Sequence, residues 1–463
     1  MLPTLLPDHP IAALATPPGT SAVAIIRISG FHLINLLLPI LRHPNGQPLS
    51  PSDLPPRQLK RLDLHDPETQ QPLDQAMVVH FPAPRSYTGE EIMEIHGHGS
   101  QVILQRTLEI LSDIGIRPAQ PGEFTRRACL NGKLDLTRAE AITALIHASS
   151  LRAAREALRQ MEGSLHHKIE TLRERLLTVL AHLEASLDFA DEDIDPLPSP
   201  LILGELSSAT EELGKWLRQA PLGERLRDGF HLTIIGRPNV GKSSLFNHLL
   251  RRKRAIVSPT PGTTRDCIES RLEIQGVPVI LSDTAGLRQT DEPVEAEGIA
   301  LTREKLRQAD GVLLVLDAGT GLTPEDESLL QEISELHGIV VWNKMDLYAR
   351  SHELKIASPR TTVQISLRTE TGLDELEREI ASFLLPVSVD GEGAIILAAR
   401  QKETLTRALR ALIECETLIV HKRPGEVTAL PLRAALEALG ELVGHVTHEA
   451  LLDRIFSTFC IGK

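Results

Sequence analysis

The chain has 463 residues, 41% hydrophobic and 24% charged, ordinary proportions with length for about three globular domains. A formal net charge of −13 and an aromatic content of 3% argue against a surface coated for non-specific nucleic-acid binding. No apolar run reaches the roughly eighteen residues of a membrane helix. The first lysine or arginine is Arg27, and Pro3, Pro7, Pro10, Pro17 and Pro18 interrupt the opening stretch, so no secretory leader is expected and a cytoplasmic location is. Cys129, Cys267, Cys415 and Cys460 lie far apart without a C-x-x-C pair, which points to neither a disulfide framework nor a thiolate zinc site.

In chain order, residues 1–130 carry short apolar or alternating runs, Val23 to Ile28, Ala76 to Phe81 and Ile92 to Ile95, between Pro- and Gly-rich turns. With a helix expected over Gln101 to Ile114, they read as an α+β domain. Gln47 to Arg57 is Pro-rich and reads as a surface loop. His96 and His98 sit two apart but lack carboxylate or thiol partners at ligand spacing, so a metal site is a minor reading. From 131 to 228 the pattern turns helical. Leu165, Ile169, Leu172, Leu176, Leu180, Leu183 and Leu187 step by three or four along one apolar face, and Asp191 to Pro196 ends that helix with acids where its dipole disfavours them. Ala398 to Ile419 and Leu432 to Val443 read as helices within a last segment, 387–463. The fold class expected is multidomain α/β: a nucleotide domain over 229–386, with a mostly parallel sheet, inserted into an α-helical domain.

The inserted segment carries the chemistry. Gly236-Arg237-Pro238-Asn239-Val240-Gly241-Lys242-Ser243 fits G-x-x-x-x-G-K-[ST] and follows the apolar run Phe230 to Ile235, the setting of a phosphate loop between a buried strand and a helix. Backbone N–H groups through Val240, Gly241 and Ser244 would surround phosphate, Lys242 would neutralise its charge catalytically, and the Ser243 hydroxyl would ligate Mg²⁺. Asp283-Thr284-Ala285-Gly286 follows Val277 to Leu281 and puts a carboxylate at a strand end, where it can hold a magnesium-bound water. Asn343-Lys344-Met345-Asp346 follows Gly338 to Trp342. Asp346 would accept two hydrogen bonds from guanine that adenine does not offer, and a carboxylate left unpaired rejects the wrong base. Three such motifs in this order point to GTP binding and hydrolysis. Arg251-Arg252-Lys253-Arg254 reads first as cations closing the helix after the loop and only second as a basic patch.

Outside that segment the chain carries Ala15-Thr16-Pro17-Pro18-Gly19, Arg27-Ile28-Ser29-Gly30, Tyr87-Thr88-Gly89-Glu90-Glu91, Gly97-His98-Gly99, Pro121-Gly122-Glu123-Phe124-Thr125, Asn131-Gly132-Lys133-Leu134-Asp135-Leu136 and the terminus Phe459-Cys460-Ile461-Gly462-Lys463. With these the whole chain resembles the tRNA-modification GTPase family MnmE (TrmE). The resemblance implies a folate-binding and dimerising N-terminal domain, a homodimer, and a flavin-containing partner, MnmG, in a heterotetramer. The pair would modify carbon 5 of the wobble uridine of certain tRNAs by aminomethyl or carboxymethylaminomethyl addition, with a one-carbon unit from a tetrahydrofolate derivative.

The resemblance also implies folate contacts at Arg27, the Met93 position, Lys133 and Lys463, with Met93 contributing backbone or packing only. Ser258 to Thr264 resembles the first switch, with Thr264 as the second Mg²⁺ hydroxyl. The K⁺ ligands would be Asn239, Ser258, Thr260 and Thr263, with the ion where other GTPases insert an arginine. Leu287 stands where several GTPases place a water-orienting glutamine, and the role would pass to Glu295, with Glu297 its rival. Two departures stand out, the base loop and the pair Ser258 and Thr260, which sit where Thr and Ile are common and matter little if their carbonyls are the ligands. The base loop reads Ile365-Ser366-Leu367-Arg368 where Ser-Ala-Arg or Ser-Ala-Lys is usual, so its contact would rest on backbone. Cys460, beside the folate residues, is either a reactive thiol or a small buried residue. The alternatives are a ribosome-assembly or translation-associated GTPase, which should add a basic RNA-binding domain, and a folate-dependent aminomethyltransferase working without a switch.

Overall fold

The computed structural model describes residues 9–188, 199–252, 269–283, 306–334, 336–347, 360–385, 397–445, 449–457, 459 and 461–462. It divides into two compact units, Met1–Thr143 with Leu439–Lys463, and Ala144–Ala438.

The first unit is built on β1 (Ile11–Leu14), β2 (Ser21–Gly30), β3 (Leu41–Arg42), β4 (Lys60–His65), β5 (Pro72–Phe81), β6 (Glu91–Gly99) and β7 (Arg117–Pro118), ordered β3-β4-β5-β6-β2-β1-β7. Antiparallel β2 and β6 pair Ile26 with Ile95, Arg27 with Glu94 and Ile28 with Met93. The period of two therefore sends Ile26, Ile28, Met93 and Ile95 into one core while Arg27 and Glu94 share the opposite face. A one-residue slip would exchange those apolar side chains for the charged pair. Each buried Ile or Met contributes about 1.5–3 kcal/mol, so the register is strongly held. Leu104, Ile110 and Leu111 of α2 (Gln101–Asp113) join that core, as do Leu33 and Leu37 of the short helix α1 (Leu33–Leu37).

On the other face of β1, Ile11 and Ala13 meet Phe124 of α3 (Glu123–Leu130). Leu136 and Ala139 of α4 (Leu136–Ile146) pack with Leu452, Ile455, Phe456 and Phe459 near the C-terminus. That packing places Leu452 to Phe459 in the same compact unit as Leu136 and Ala139.

The second unit begins with α5 (Leu151–Met161), α6 (Ser164–Asp188) and α7 (Ser199–Asp228). On α6 the buried stripe is Leu165, Ile169, Leu172, Leu176, Val179 and Leu183, with Leu180 only half-buried. Position 179 replaces 180 because a 3-4-3-4 stepping from 169 holds the face of a 3.6-residue helix, and a further step of four from 176 rotates off it. The six-stranded sheet consists of β8 (Phe230–Ile235), β9 (Glu269–Ile274), β10 (Val277–Asp283), β11 (Gly311–Asp317), β12 (Gly338–Asn343) and β13 (Thr362–Gln364), in the order β13-β12-β11-β8-β10-β9. Every neighbouring pair is parallel except β9 with β10. Its central strands are near-continuous apolar runs because both faces are covered. Leu232, Ile234, Leu313 and Val315 enter one core, and Ile235, Val312, Leu314 and Trp342 the other.

α8 (Lys242–Arg252) follows β8, α9 (Pro324–Glu332) follows β11, and α10 (Leu373–Leu384) follows β13. α11 (Ala399–Val420) then packs on α7. α12 (Gly425–Val443) starts well before the expected Leu432, passing through Pro431. Proline deprives the Val427 carbonyl of its helical donor, and Val427 is exposed, so water can replace the lost bond. α13 (Glu449–Phe456) completes the chain's helices among the described residues, none of which is long and apolar enough to cross a membrane.

Candidate functional site

The parallel sheet ends in loops on one edge, and the loop after β8 is shaped by two glycines. At Gly236 φ is +147°, and a Cβ there would come within 2.4 Å of the Val315 carbonyl oxygen on β11. At Gly241 φ is +105°, and a Cβ would sit 2.3 Å from Asn343 Nδ2. Only glycine fits both positions. Asn239 adopts the left-handed conformation at φ +64°, which asparagine tolerates better than most residues, and it is exposed.

Three carbonyls of this loop are taken up by side chains. The buried Lys242 donates from Nζ to the Arg237 carbonyl at 2.7 Å. Lys344 Nζ donates to the Asn239 carbonyl at 2.8 Å, and Asn343 Nδ2 to the Val240 carbonyl at 2.9 Å. With these oxygens held by side chains, the N–H groups of the loop and of the first turn of α8 remain for an anion, and the helix dipole favours one there. The Ser243 and Ser244 side chains are exposed on that turn. Asp283 is buried at the end of β10, beside β8. Ser243 could ligate Mg²⁺ through its hydroxyl, and the exposed Asn239 could offer an amide oxygen to a cation.

The residues expected to read the base come from the ends of β12 and β13. Lys344, itself left-handed at φ +65°, also donates to Asp317 Oδ2 at 2.7 Å. Burial pushes the Asp317 carboxyl upward, but the hydrogen bond from Lys344, the Gly319 N–H and the positive charges of Lys344 and Arg237 outweigh it and hold it below the ordinary carboxylate value. Ser366 Oγ donates to Asp346 Oδ1 at 2.7 Å and accepts from the Thr369 N–H at 3.2 Å. The departure at 366–368 therefore keeps a role for the Ser366 side chain, which orients Asp346. Arg368 is highly exposed, 3.9 Å from the same carboxylate. Asn343 is 2% exposed, and its Oδ1 has no hydrogen-bond partner among the described residues, an unmet acceptor of the kind a ligand satisfies.

Sequence reasoning brought Asn239, Val240, Gly241, Lys242, Ser243, Asn343, Lys344 and Asp346 to this edge. It missed Asp317 and the pairing of Arg237 with Asp326, whose only sequence signals are their places in loops after strands, and it gave the base loop at Ser366 a backbone contact where the side chain also bonds Asp346. Ser258, Thr260, Thr263, Thr264, Thr284, Ala285, Gly286, Glu295 and Glu297 lie outside the described residues, as do Cys460 and Lys463.

In the first unit, Arg27 donates from Nε to Glu94 Oε1 at 2.9 Å and from Nη1 to the Gly462 carbonyl at 3.5 Å, and its guanidinium lies 5.8 Å from the Tyr87 ring centre. Burial raises the Tyr87 phenol above its ordinary value despite its bond to Thr125. Gly462 is left-handed at φ +95°, and a Cβ there would strike the Leu14 carbonyl at 2.4 Å, so Gly462 is seated against the end of β1. Lys133 is exposed and its stem passes the Thr88-Gly89-Glu90 turn. The Met93 side chain is fully buried in the core behind the sheet, on the face opposite Arg27, which leaves its backbone and its packing as what it can offer a ligand. Its neighbour Glu94 occupies the Arg27 face, as strand alternation requires. His96 bonds to Glu94 and His98 to Asp74. Among the described residues no three His, Cys, Asp or Glu side chains group to hold a metal.

Residues 10–133 match the family model described as the GTP-binding protein TrmE N-terminus, and residues 136–460 match that of the MnmE helical domain. The chain belongs to the MnmE family of tRNA modification GTPases. The MnmE of Magnetococcus marinus is 43% identical over 464 residues, covering 100% of this chain and 99% of that protein. The MnmE of Aquifex aeolicus is 42% identical, covering 98% and 100% respectively. A crystal structure of an Era variant from Aquifex aeolicus bound to GDP·AlF4− is 28% identical over 40% of this chain and 66% of that one, with a TM-score of 0.28. As an MnmE family member the chain is a GTPase of tRNA modification, and its architecture is multidomain α/β.

Proposed function

We propose that GTP binds at the strand-end edge formed by Gly236–Ser244, Asp283, Asn343–Asp346 and Ser366, and that its hydrolysis drives modification of carbon 5 of the wobble uridine. The observation that carries this reading is the direct bonding of the base-side residues Asn343 and Lys344 to the phosphate-side carbonyls of Val240 and Asn239. Phosphate and base recognition thus form one connected assembly. Mg²⁺ would be held by Ser243 and Thr264, and K⁺ by Asn239, Ser258, Thr260 and Thr263, each supplying positive charge against the negative charge of the transferring phosphoryl group. Glu295 would orient the attacking water. Lys242 leaves the Arg237 carbonyl for the phosphates when nucleotide enters.

The first unit supports a folate site around Arg27 and Glu94. The guanidinium suits carboxylate or pterin oxygens, the carboxylate suits pterin N–H donors, and Tyr87 supplies an aromatic face. Lys133 and Lys463 would add cations. The reading includes a homodimer, the flavin protein MnmG as partner in a heterotetramer, the cytoplasm as location, and the four-segment domain organisation with the nucleotide domain inserted over 229–386.

The test is mass spectrometry of wobble-uridine nucleosides from a deletion strain complemented with the wild type, Lys242→Ala, Arg27→Ala or Glu94→Gln. All three variants should leave the uridine unmodified, and only Lys242→Ala should lose GTP binding in the purified protein. Restored modification by Arg27→Ala and Glu94→Gln would remove the folate assignment.

A further inference from the structure

Arg237 occupies a variable position of the phosphate-loop motif, yet its side chain is anchored. Nε donates to Asp326 Oδ1 at 2.8 Å and Nη2 to Thr320 Oγ1 at 3.1 Å. Asp326 is fully buried, and its other oxygen accepts from the Thr323 N–H at 3.1 Å and from Thr323 Oγ1 at 2.8 Å, closing the capping box of α9. One oxygen therefore starts a helix, while the other reaches 89 residues back in sequence to the loop. The cap alone accounts for Oδ2. It does not account for Oδ1.

The backbone of the same arginine supplies the carbonyl on which Lys242 rests. Two residues on, the Asn239 carbonyl is held by Lys344, which is anchored on Asp317, and Thr320 Oγ1 donates to the Asp317 carbonyl at 3.3 Å. The segment from Asp317 to Asp326, between β11 and α9, thus grips the loop at both 237 and 239.

We propose that Arg237, held by Asp326, is a positioning residue for GTP binding: it fixes the loop so that its N–H groups and Lys242 are preset for the phosphates. This rests on the reading of Gly236–Ser243 as the phosphate loop. A buried carboxylate is a fixed anchor because leaving it unpaired is strongly unfavourable, and order set before binding need not be imposed by the ligand.

The test measures GDP and GTP dissociation constants by fluorescence with labelled nucleotides, steady-state kcat and KM, and thermal midpoints, on the full-length protein. Arg237→Ala should weaken GDP and GTP equally, by about tenfold, and raise KM similarly while kcat stays within about twofold, because phosphate contacts order the loop once nucleotide is bound. Asp326→Asn should reproduce that pattern, the double variant should add nothing further, and Arg237→Lys should recover part of the affinity. A lowered thermal midpoint with unchanged dissociation constants would assign the pair to helix capping and overturn the proposal, as would additive losses in the double variant. Lys242→Ala, run alongside, separates the two readings: unimpaired nucleotide binding in that variant would refute the site itself, whereas its loss together with intact binding in Arg237→Ala would refute only the positioning role.

Discussion

Lys344 ties the base loop directly to the phosphate loop. It makes two charge-assisted hydrogen bonds, to the Asn239 carbonyl and to Asp317. Such bonds contribute about 1.5–3 kcal/mol each, but the Lys344 side chain is 32% exposed, so screening places the pair near the lower end, about 3 kcal/mol together. Roughly half of that lies at Asn239. At 1.4 kcal/mol per decade, Lys344→Ala should weaken GDP and GTP about tenfold, and the remainder should lower the thermal midpoint. Backbone conformation separates the two effects. Lys344 sits at φ +65°, where alanine is strained by about 1 kcal/mol relative to glycine. Lys344→Gly should therefore recover some stability over Lys344→Ala and recover no nucleotide affinity.

The assays are labelled-nucleotide titration and thermal unfolding of all three proteins at pH 7. Nucleotide affinity within twofold of wild type in Lys344→Ala, or restored by Lys344→Gly, would refute the reasoning. The acid side gives a further check. A carboxyl held below its ordinary value contributes stability that is present above its unfolded pKa and lost as pH falls through its folded one. With Lys344 absent, its hydrogen bond and its charge no longer hold the Asp317 carboxyl down, so the loss of stability below about pH 4 should be smaller in the variant than in the wild type.

Asp346→Asn should lose GTP affinity and gain xanthosine triphosphate, whose carbonyl accepts from the new amide, and continued preference for GTP would exclude Asp346 from the base site. Glu295→Ala should keep GTP affinity within about threefold while turnover falls about a hundredfold; a fall in Glu297→Ala alone would move the assignment there. Turnover in KCl should exceed that in NaCl at matched ionic strength by about tenfold or more, and Asn239→Ala should erase the difference while GTP still binds. Equal rates in the two salts would end the potassium mechanism.

The sequence by itself determined the order of the nucleotide motifs and the strands that carry them, because a buried parallel strand followed by a glycine loop is a local pattern of apolar run and backbone freedom. It also determined the family, since motifs such as Tyr87-Thr88-Gly89-Glu90-Glu91 and the Phe459–Lys463 terminus are contiguous. Only the tertiary structure decided which side chains meet across the chain. Arg27 and Glu94 are 67 residues apart and become neighbours through one strand register, and that register turned Met93 into the core. Arg237 finds Asp326, and Ser366 finds Asp346, because separate strands end on one edge of one sheet. The local pattern records which face a residue takes and which turn it permits. The partner that satisfies a buried charge is chosen by packing, and it leaves no spacing to read.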